Sequence, residues 1–314
     1  MFLQGVQVVC SVFLIVGLGM LLAHLKWLDK AAMDLLSRLV VQVGLPCMTV
    51  AQLFSQYDQR ALLGALPYLG MAFLSVGLMY ALAFAAQALL RVPTPKRGVF
   101  RCLFAFGNTI FIGLPITTAL FGEAALPPTL MYYLANTTLF WTLGVSGVQV
   151  DGGAPRAGFR LAALRRVLTM PLITFTACTA LILAGFSLPK LLLDTARYVG
   201  NMVTPLSLFF IGAILHRMLR EGLVWQRGYA GLLAARFLLS PLLMMTIGAA
   251  LGGLPTLWRS AFLLQAGMPA QSSTAIVAHN YGGDEEYATG GITLTTLLSA
   301  CVIPLFAALA ASLG

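Results

Sequence analysis

Charge is what this chain has least of. Charged residues make up 9% of its 314 positions, against about 25% in soluble proteins. Hydrophobic residues account for 59% of the sequence, and the mean hydropathy is +0.90. Apolar stretches without charge recur along the whole length, which leaves no room for a soluble domain of any size. The composition therefore predicts an all-α integral membrane protein.

Carboxylates are missing from the apolar stretches. The chain has ten acidic residues, and all of them fall in predicted loops or at the ends of predicted spans. A membrane-embedded carboxylate is the usual proton relay of an ion-coupled carrier. Its absence argues against a sodium–proton exchanger and leaves the coupling ion open.

Motifs of catalysis and cofactor binding are missing as well. The sequence has no nucleotide loop, GxSxG elbow, HExxH pattern or kinase signature. Its five cysteines form no CxxC or Cys/His spacing, so we expect packing residues, no metal and no cofactor. We therefore expect no catalytic residues and no enzyme. The net charge of +9 is spread over short loops, which favours membrane topology over nucleic acid as its explanation.

Hydropathy predicts ten membrane-spanning helices. They cover residues 4–25, 36–55, 62–90, 99–121, 128–150, 168–187, 195–216, 229–252, 260–280 and 288–312. The longest connection, 151–167, is rich in Gly and Arg and contains a Pro, which marks it as a linker between two halves.

The basic residues orient these spans. One set of alternate loops carries fourteen Lys and Arg, and the opposite set carries four. The positive-inside rule places the richer set in the cytoplasm. The linker 151–167 is then cytoplasmic, and both termini lie outside.

The two halves, 1–150 and 168–314, are predicted to form a 5+5 inverted repeat. An odd number of spans per half gives the halves opposite orientations. Each half has an Arg followed eight residues later by a Pro, and another Pro 69 or 64 residues farther on. The matched positions are Arg38 and Arg197, Pro46 and Pro205, and Pro115 and Pro269. Such internal symmetry is typical of secondary transporters.

Spans four and nine are interrupted apolar runs, FGNTIFIGLP at 106–115 and LLQAGMPAQSSTAIVAHN at 263–280. We expect Pro115 and Pro269 to break these helices and to start half-helices. The free N–H groups of two such N-termini, meeting at mid-membrane, would suit a carboxylate. The plain alternative is a pair of ordinary proline kinks.

The candidate substrate-binding residues surround these breaks, and two more lie in other spans. In the broken spans they are Asn108, Gly113, Pro115, Thr117, Thr118, Gln265, Pro269, Gln271, Ser272 and Ser273. For Asn108 the alternative is helix–helix hydrogen bonding, and for Asn136 packing is an equal alternative. Arg236, the one basic residue inside a span, either snorkels or binds free helix carbonyls, or it serves as a substrate counter-charge.

These motifs resemble the auxin efflux carrier family in its short bacterial form. FGNTIFIGLP is similar to the Gly-Asn…Gly-x-Pro signature of the family's fourth span. MPAQSSTAIVAHNYGGDEEYAT, followed by LTTLLSACVIPL, is similar to its C-terminal signature. The resemblance covers the whole chain. It implies the crossover fold of bile-acid symporters and sodium–proton antiporters, in which broken helices four and nine cross. Spans 1, 2, 6 and 7 would form a scaffold, and spans 3–5 and 8–10 a moving transport unit.

The resemblance also implies a function. Plant members export indole-3-acetate, and bacterial members include malonate and malate carriers. We therefore expect a multi-pass protein of the inner membrane that carries a small organic anion by an elevator-type movement. The alternatives are a sodium-coupled symporter of a larger amphipathic anion, and a receptor or channel on a transporter fold. The expected partners are the anion and the lipid bilayer, with a homodimer left open and no nucleic acid.

Overall fold

The computed structural model describes residues 2–151, 170–221 and 224–312. Helices and short connections account for these residues, and no strand occurs among them. The all-α prediction is therefore confirmed. The predicted linker 151–167 lies outside the described residues from its second position onward.

A helical stretch lies at each predicted span. In the first half the helices are α1 (Phe2–His24), α2 (Lys30–Arg38), α3 (Leu45–Gln56), α4 (Gln59–Leu89), α5 (Arg97–Ala105), α6 (Leu114–Phe121), α7 (Leu126–Leu139) and α8 (Val145–Asp151). In the second half they are α9 (Met170–Leu183), α10 (Lys190–Gly200), α11 (Val203–Glu221), α12 (Tyr229–Ala234), α13 (Ser240–Ala250), α14 (Thr256–Ala266), α15 (Ser273–Tyr281) and α16 (Glu285–Ser312).

Among the described residues, four π-helical segments lead directly into an α-helix, and three of them also follow one. They are Leu39–Gly44, Thr109–Gly113, Phe140–Gly144 and Ala235–Leu239. Three of them end two residues before a proline: Pro46, Pro115 and Pro241. A proline ring crowds the carbonyl of the preceding turn and donates no hydrogen bond. The wider π turn accommodates that mismatch, so the chain stays helical through the proline.

Several helical stretches have the length and composition of membrane spans. Among the described residues, five are long and apolar enough to cross a bilayer, and three shorter ones are apolar. The five are Lys30–Ser55, Gln59–Leu89, Lys190–Arg217, Tyr229–Ala250 and Glu285–Leu309. Many large hydrophobic side chains on these helices are exposed, as expected for surfaces that face lipid.

The helices pack in two groups. The largest buried apolar cluster draws on α4, α5, α7 and α8 from the first half and on α12 to α16 from the second. Most of the remaining helices pack with one another, α1 on α11 and α3 on α9 and α10. Helix α6 lies between the groups, because it contacts α1 and α11 as well as α7 and α14. At the α1–α11 contact, a Cβ on Gly212 would lie 2.1 Å from the carbonyl oxygen of Val16, and one on Gly19 would lie 2.6 Å from that of Phe209. Glycine is therefore required for these two backbones to approach so closely.

Polar contacts connect loops that hydropathy assigns to the same side. Lys96 Nζ lies 3.3 Å from Asp284 Oδ2 and donates to Gln226 Oε1 at 2.6 Å, which ties three such loops together. Gln52 Nε2, near the C-terminal end of α3, donates to Glu123 Oε2 at 2.9 Å in a loop of the opposite set. The loops of Lys96, Gln226 and Asp284 therefore lie at one end of the bundle, and which end faces the cytoplasm stays a prediction.

Candidate functional site

The helical runs at spans four and nine are both interrupted near their middle. α5 ends at Ala105, and the next helical residue is Thr109. α14 ends at Ala266, and α15 begins at Ser273. The two interruptions therefore leave short non-helical segments at 106–108 and 267–272.

The two non-helical segments contact each other through their backbones. The N–H of Asn108 donates to the carbonyl oxygen of Pro269 at 2.7 Å, and the N–H of Gln271 donates to that of Phe106 at 3.1 Å. These bonds form an isolated antiparallel β-bridge between Gly107 and Ala270. Each break thus satisfies polar groups of the other, which hydrocarbon could not do. This meeting point, 106–108 with 267–272, is called the junction below.

The expectation that Pro115 starts a half-helix is wrong. The helical segment begins at Thr109, six residues before Pro115, and Pro115 lies in the first turn of α6 behind a π segment. The π turn removes the clash that would have broken the helix there. Pro269 does lie in its break, but it does not start the next helix either, because α15 begins at Ser273. Its partner across the junction is Asn108 rather than Pro115.

Two asparagines organise the junction. Asn108 accepts from the N–H of Phe111 through Oδ1 at 3.2 Å, as an N-cap does, and donates through Nδ2 to Ser272 Oγ at 2.9 Å. Asn136, from α7, accepts from the N–H of Gly107 at 3.0 Å and donates to its carbonyl oxygen at 3.1 Å. Its Nδ2 also donates to Gln271 Oε1 at 2.8 Å. Both amides therefore serve the backbone of the breaks and connect the two halves.

Arg236 binds the carbonyl ends of both broken helices. Its Nη1 donates to the carbonyl oxygen of Ala105, Nη2 to that of Ala266 and Nε to that of Met268, all between 2.9 and 3.0 Å. The side chain is 1% exposed. A cation at helix C-termini opposes their partial negative charge. Of the two alternatives for Arg236, the geometry favours carbonyl binding over direct contact with a substrate.

Gly107 makes the approach of Arg236 possible. A Cβ at this position would lie 2.4 Å from Arg236 Nη2. Since no real Cβ tolerates such a contact, any side chain here would displace the guanidinium or the break.

Gln265, Gly113 and Thr117 form a second contact between the broken spans, away from the junction. Gln265 is fully buried and donates through Nε2 to Thr117 Oγ1 at 3.0 Å. A Cβ on Gly113 would lie 2.4 Å from Gln265 Oε1. Thr118 donates to the carbonyl oxygen of Leu114 in its own helix at 2.9 Å. The side chains of Gln265 and Thr117 thus bond to each other. The backbones of Gly113 and Gln265 adjoin the junction, because the N–H of Gly113 donates to the carbonyl oxygen of Asn108 and that of Met268 donates to the carbonyl oxygen of Gln265.

Thr295 belongs to the junction, although sequence reasoning did not select it. Its Oγ1 accepts from the N–H of Ala270 at 3.1 Å and donates to the carbonyl oxygen of Gly291 at 2.9 Å. Its position in the C-terminal stretch LTTLLSACVIPL was the available signal, because a buried hydroxyl beside a break finds an unpaired backbone group there.

The junction offers helix starts and lacks metal ligands. Asn108 and Ser272 lie at the starts of two helical segments, and the partial positive charge of a helix start favours an anion. Gln271, Ser272 and Ser273 are half-buried, so they retain some access. Among the described residues, no group of three His, Cys, Asp or Glu side chains is placed to hold a metal ion. The chemistry available is hydrogen bonding to an anion.

Comparison with known proteins identifies the family. A family model described as "Membrane transport protein" matches residues 5–154 and 163–307. A protein of Rhizobium meliloti (strain 1021) named "Putative malonate transporter" is 26% identical over 299 residues, which cover 93% of this chain and 91% of that protein. An "Uncharacterized transporter" of Methanothermobacter thermautotrophicus is 26% identical over 307 residues, covering 97% and 98%.

The match extends over both halves of the chain. The family and these relatives are membrane transporters and not enzymes. The helical stretches of membrane length agree with a multi-pass protein. The chain therefore belongs to the membrane transport protein family, the auxin efflux carrier family that its two motifs resemble.

Proposed function

We propose that this protein is a secondary carrier of a small organic anion and that the junction is its substrate site. The observation that carries the proposal is the backbone pairing of Gly107 with Ala270 between two interrupted helices. Broken helices that meet near the membrane midplane are the usual binding sites of inverted-repeat transporters.

The halves 1–150 and 168–314 would then be the two inverted repeats, with their fourth and ninth spans crossing at the junction. Each half contributes one helix end and one helix start at the junction. In the first half α5 ends there and the segment after Asn108 begins, and in the second half α14 ends there and α15 begins. This twofold arrangement supports the repeat, because opposite orientations of the halves bring equivalent breaks face to face.

Charge at the junction favours an anion. Arg236 occupies the carbonyl ends, whose partial charge is negative. The two helix starts, whose partial charge is positive, would then face the ligand. The side chains of Asn108, Gln271 and Ser272 lie beside them and can form hydrogen bonds. A relative named for malonate supports a carboxylate as the ligand.

The two packing groups support an elevator-type movement. Helices α4 to α8 and α12 to α16, which include the junction, would move as a unit against a scaffold of α1 to α3 and α9 to α11. Aliphatic side chains from both groups meet between them, as in the cluster of Val16, Ile112, Leu208 and Ile211. Apolar surfaces can slide without breaking hydrogen bonds, which suits a moving boundary. We place the protein in the inner membrane with both termini outside.

Counterflow in proteoliposomes tests the proposal. Vesicles are loaded with unlabelled malonate or butyrate, and uptake of the same labelled acid is followed. A carrier exchanges labelled for unlabelled acid, so the loaded vesicles should accumulate label transiently, whereas empty vesicles should not. A receptor would bind the acid without exchange, and a channel would equilibrate it without the transient. Repeating the assay with and without sodium separates a sodium-coupled symporter from the proposed carrier.

A further inference from the structure

An apolar cavity lies between the two packing groups. Its walls come from α1 and α11 on one side, and from the π segment at 109–113, α6 and α16 on the other. Nine of its eleven lining residues are apolar, and the others are Thr296 and Ser299. The hydroxyl of Ser299 donates to the carbonyl oxygen of Thr296 at 2.6 Å, so it is satisfied within its own helix. The cavity therefore suits hydrocarbon rather than a polar group.

The cavity adjoins the junction. Ile112 in its wall is four residues after Asn108 on the same helical segment, one turn away. Thr296 directly follows Thr295, whose hydroxyl accepts from the N–H of Ala270. Met268, in the break itself, packs in the same apolar cluster as Ile112 and other cavity residues. A ligand with its charged end at the junction could thus extend its other end into the cavity.

The size of the cavity sets the length of such an extension. Its volume is about 50 Å³. One water molecule needs about 10–15 Å³ on this measure, so there is space for about three to five groups of methylene size.

Charge around the cavity argues against a second carboxylate. Among the described residues, the deeply buried basic side chains are Arg101 and Arg236. Arg101 pairs with Asp151, and Arg236 is committed to three backbone carbonyls. A second anionic group that entered the cavity would meet aliphatic walls, and an unpaired charge there is strongly disfavoured.

We propose that the substrate is an amphipathic monocarboxylate, with its carboxylate at the junction and a hydrocarbon tail of about three to five carbons in this cavity. This inference rests on the proposed function and narrows its substrate class. It separates this chain from a carrier of short dicarboxylates such as malonate, even though a relative is named for malonate.

The test is a chain-length series on the purified full-length protein. Binding of the straight-chain acids from acetate to octanoate is measured, with malonate and adipate as dicarboxylates. Each methylene that enters the cavity should tighten binding about fourfold, up to butyrate through hexanoate, after which affinity should level off. Adipate should bind at least tenfold more weakly than hexanoate.

Variants of the cavity sharpen the test. Ala300→Leu fills it and should shift the optimum about three carbons shorter while leaving acetate binding unchanged. Ile116→Ala enlarges it and should shift the optimum longer, which keeps the proposal testable if the leucine variant misfolds. Ala308 is an exposed residue on the same helix. Ala308→Leu adds the same side-chain volume outside the cavity, so the dependence of affinity on chain length should match that of the wild type. It therefore controls for partition of fatty acids into lipid.

The outcomes distinguish the two proposals. If affinity does not depend on chain length, or if its dependence is unchanged in both cavity variants, this inference is wrong. The proposed carrier function would still hold in that case if malonate or acetate shows counterflow. Malonate binding more tightly than hexanoate also overturns this inference. Absence of binding and exchange for every acid would refute the proposed carrier function, and this inference with it.

Discussion

At the scale of single residues, the side chains at the junction have two roles. Some hold the two breaks together, and others are available to bind a ligand. Arg236 donates only to backbone carbonyls at the two breaks, and Asn136 bonds to the backbone of Gly107 and to the side chain of Gln271. Asn108 bonds to Ser272, a half-buried side chain, and can exchange that bond for one to an anion. Asn108 is therefore the residue at which function and stability can be separated best.

Asn108→Ala should reduce transport tenfold or more with a small effect on stability. Loss of the cap on Phe111 costs about 1 kcal/mol, and an interhelical bond in a membrane protein averages about 0.6 kcal/mol. A hydrogen bond to a charged ligand is worth more, about 1.5–3 kcal/mol. Counterflow and thermal unfolding of the same preparation measure both effects.

Asn108→Asp is the matched control for the cap. Aspartate caps a helix as well as asparagine does, so the fold should survive, while its charge should repel an anion and abolish transport. Full transport by either variant would assign Asn108 a purely structural role.

Gly107→Ala should destabilise the protein through Arg236. The new Cβ would overlap the guanidinium, and overpacking of this kind costs about 1–3 kcal/mol. Gly70→Ala in α4, where a Cβ meets no atom within 4 Å, should leave the melting temperature unchanged or raise it, because alanine favours helix. Equal melting temperatures for the two variants would mean that Arg236 does not clamp the breaks as described.

At the scale of secondary-structure elements, glycine pairs decide how closely helices approach. Gly19 and Gly212 let α1 and α11 touch through their backbones. Gly19→Ala should therefore force these helices apart and lower the melting temperature by several degrees. Gly17→Ala, two residues away with open space around it, should not. Similar melting curves for both variants would contradict the close contact.

The interrupted helices were predictable from sequence, but their registers were not. Pro and Gly in apolar runs indicate breaks, and both breaks occur within the predicted stretches. The start of the first half-helix was misplaced by six residues, because π turns carry the chain through Pro46, Pro115 and Pro241 without interruption. Periodicity does not reveal a π segment, since it depends on how neighbouring helices support the extra residue.

At the scale of the whole molecule, hydropathy and loop charge predict helix positions well because lipid constrains every span in the same way. The fate of single polar residues depends on which backbone groups the breaks leave unpaired. The sequence thus identifies Arg236 as a cation within a predicted span. Its three backbone carbonyl partners could be identified only from the folded structure. Thr295 was missed for the same reason.

The asymmetry of loop charge predicts the orientation of the molecule. In a cysteine-free background, Gly158→Cys should be labelled by an impermeant thiol reagent only after cell lysis. Ser187→Cys, between α9 and α10, belongs to the opposite set of loops and should be labelled in intact cells. Labelling of position 158 from outside would invert the topology and refute the assignment from basic residues.

An elevator movement requires that the two packing groups shift relative to each other during transport. Gln52 and Glu123 are hydrogen-bonded across the proposed boundary, from α3 to the turn after α6. A reducible bifunctional thiol crosslinker between Gln52→Cys and Glu123→Cys would span the two shortened side chains and fix the moving unit to the scaffold, so crosslinking should lower counterflow at least tenfold and reduction should restore it. Lys96→Cys with Asp284→Cys joins two loops of the moving unit itself, and crosslinking of that pair should leave counterflow largely intact. If both crosslinked pairs transport equally well, the substrate must cross without relative movement of the two groups, and a fixed pore or a local gate would replace the elevator.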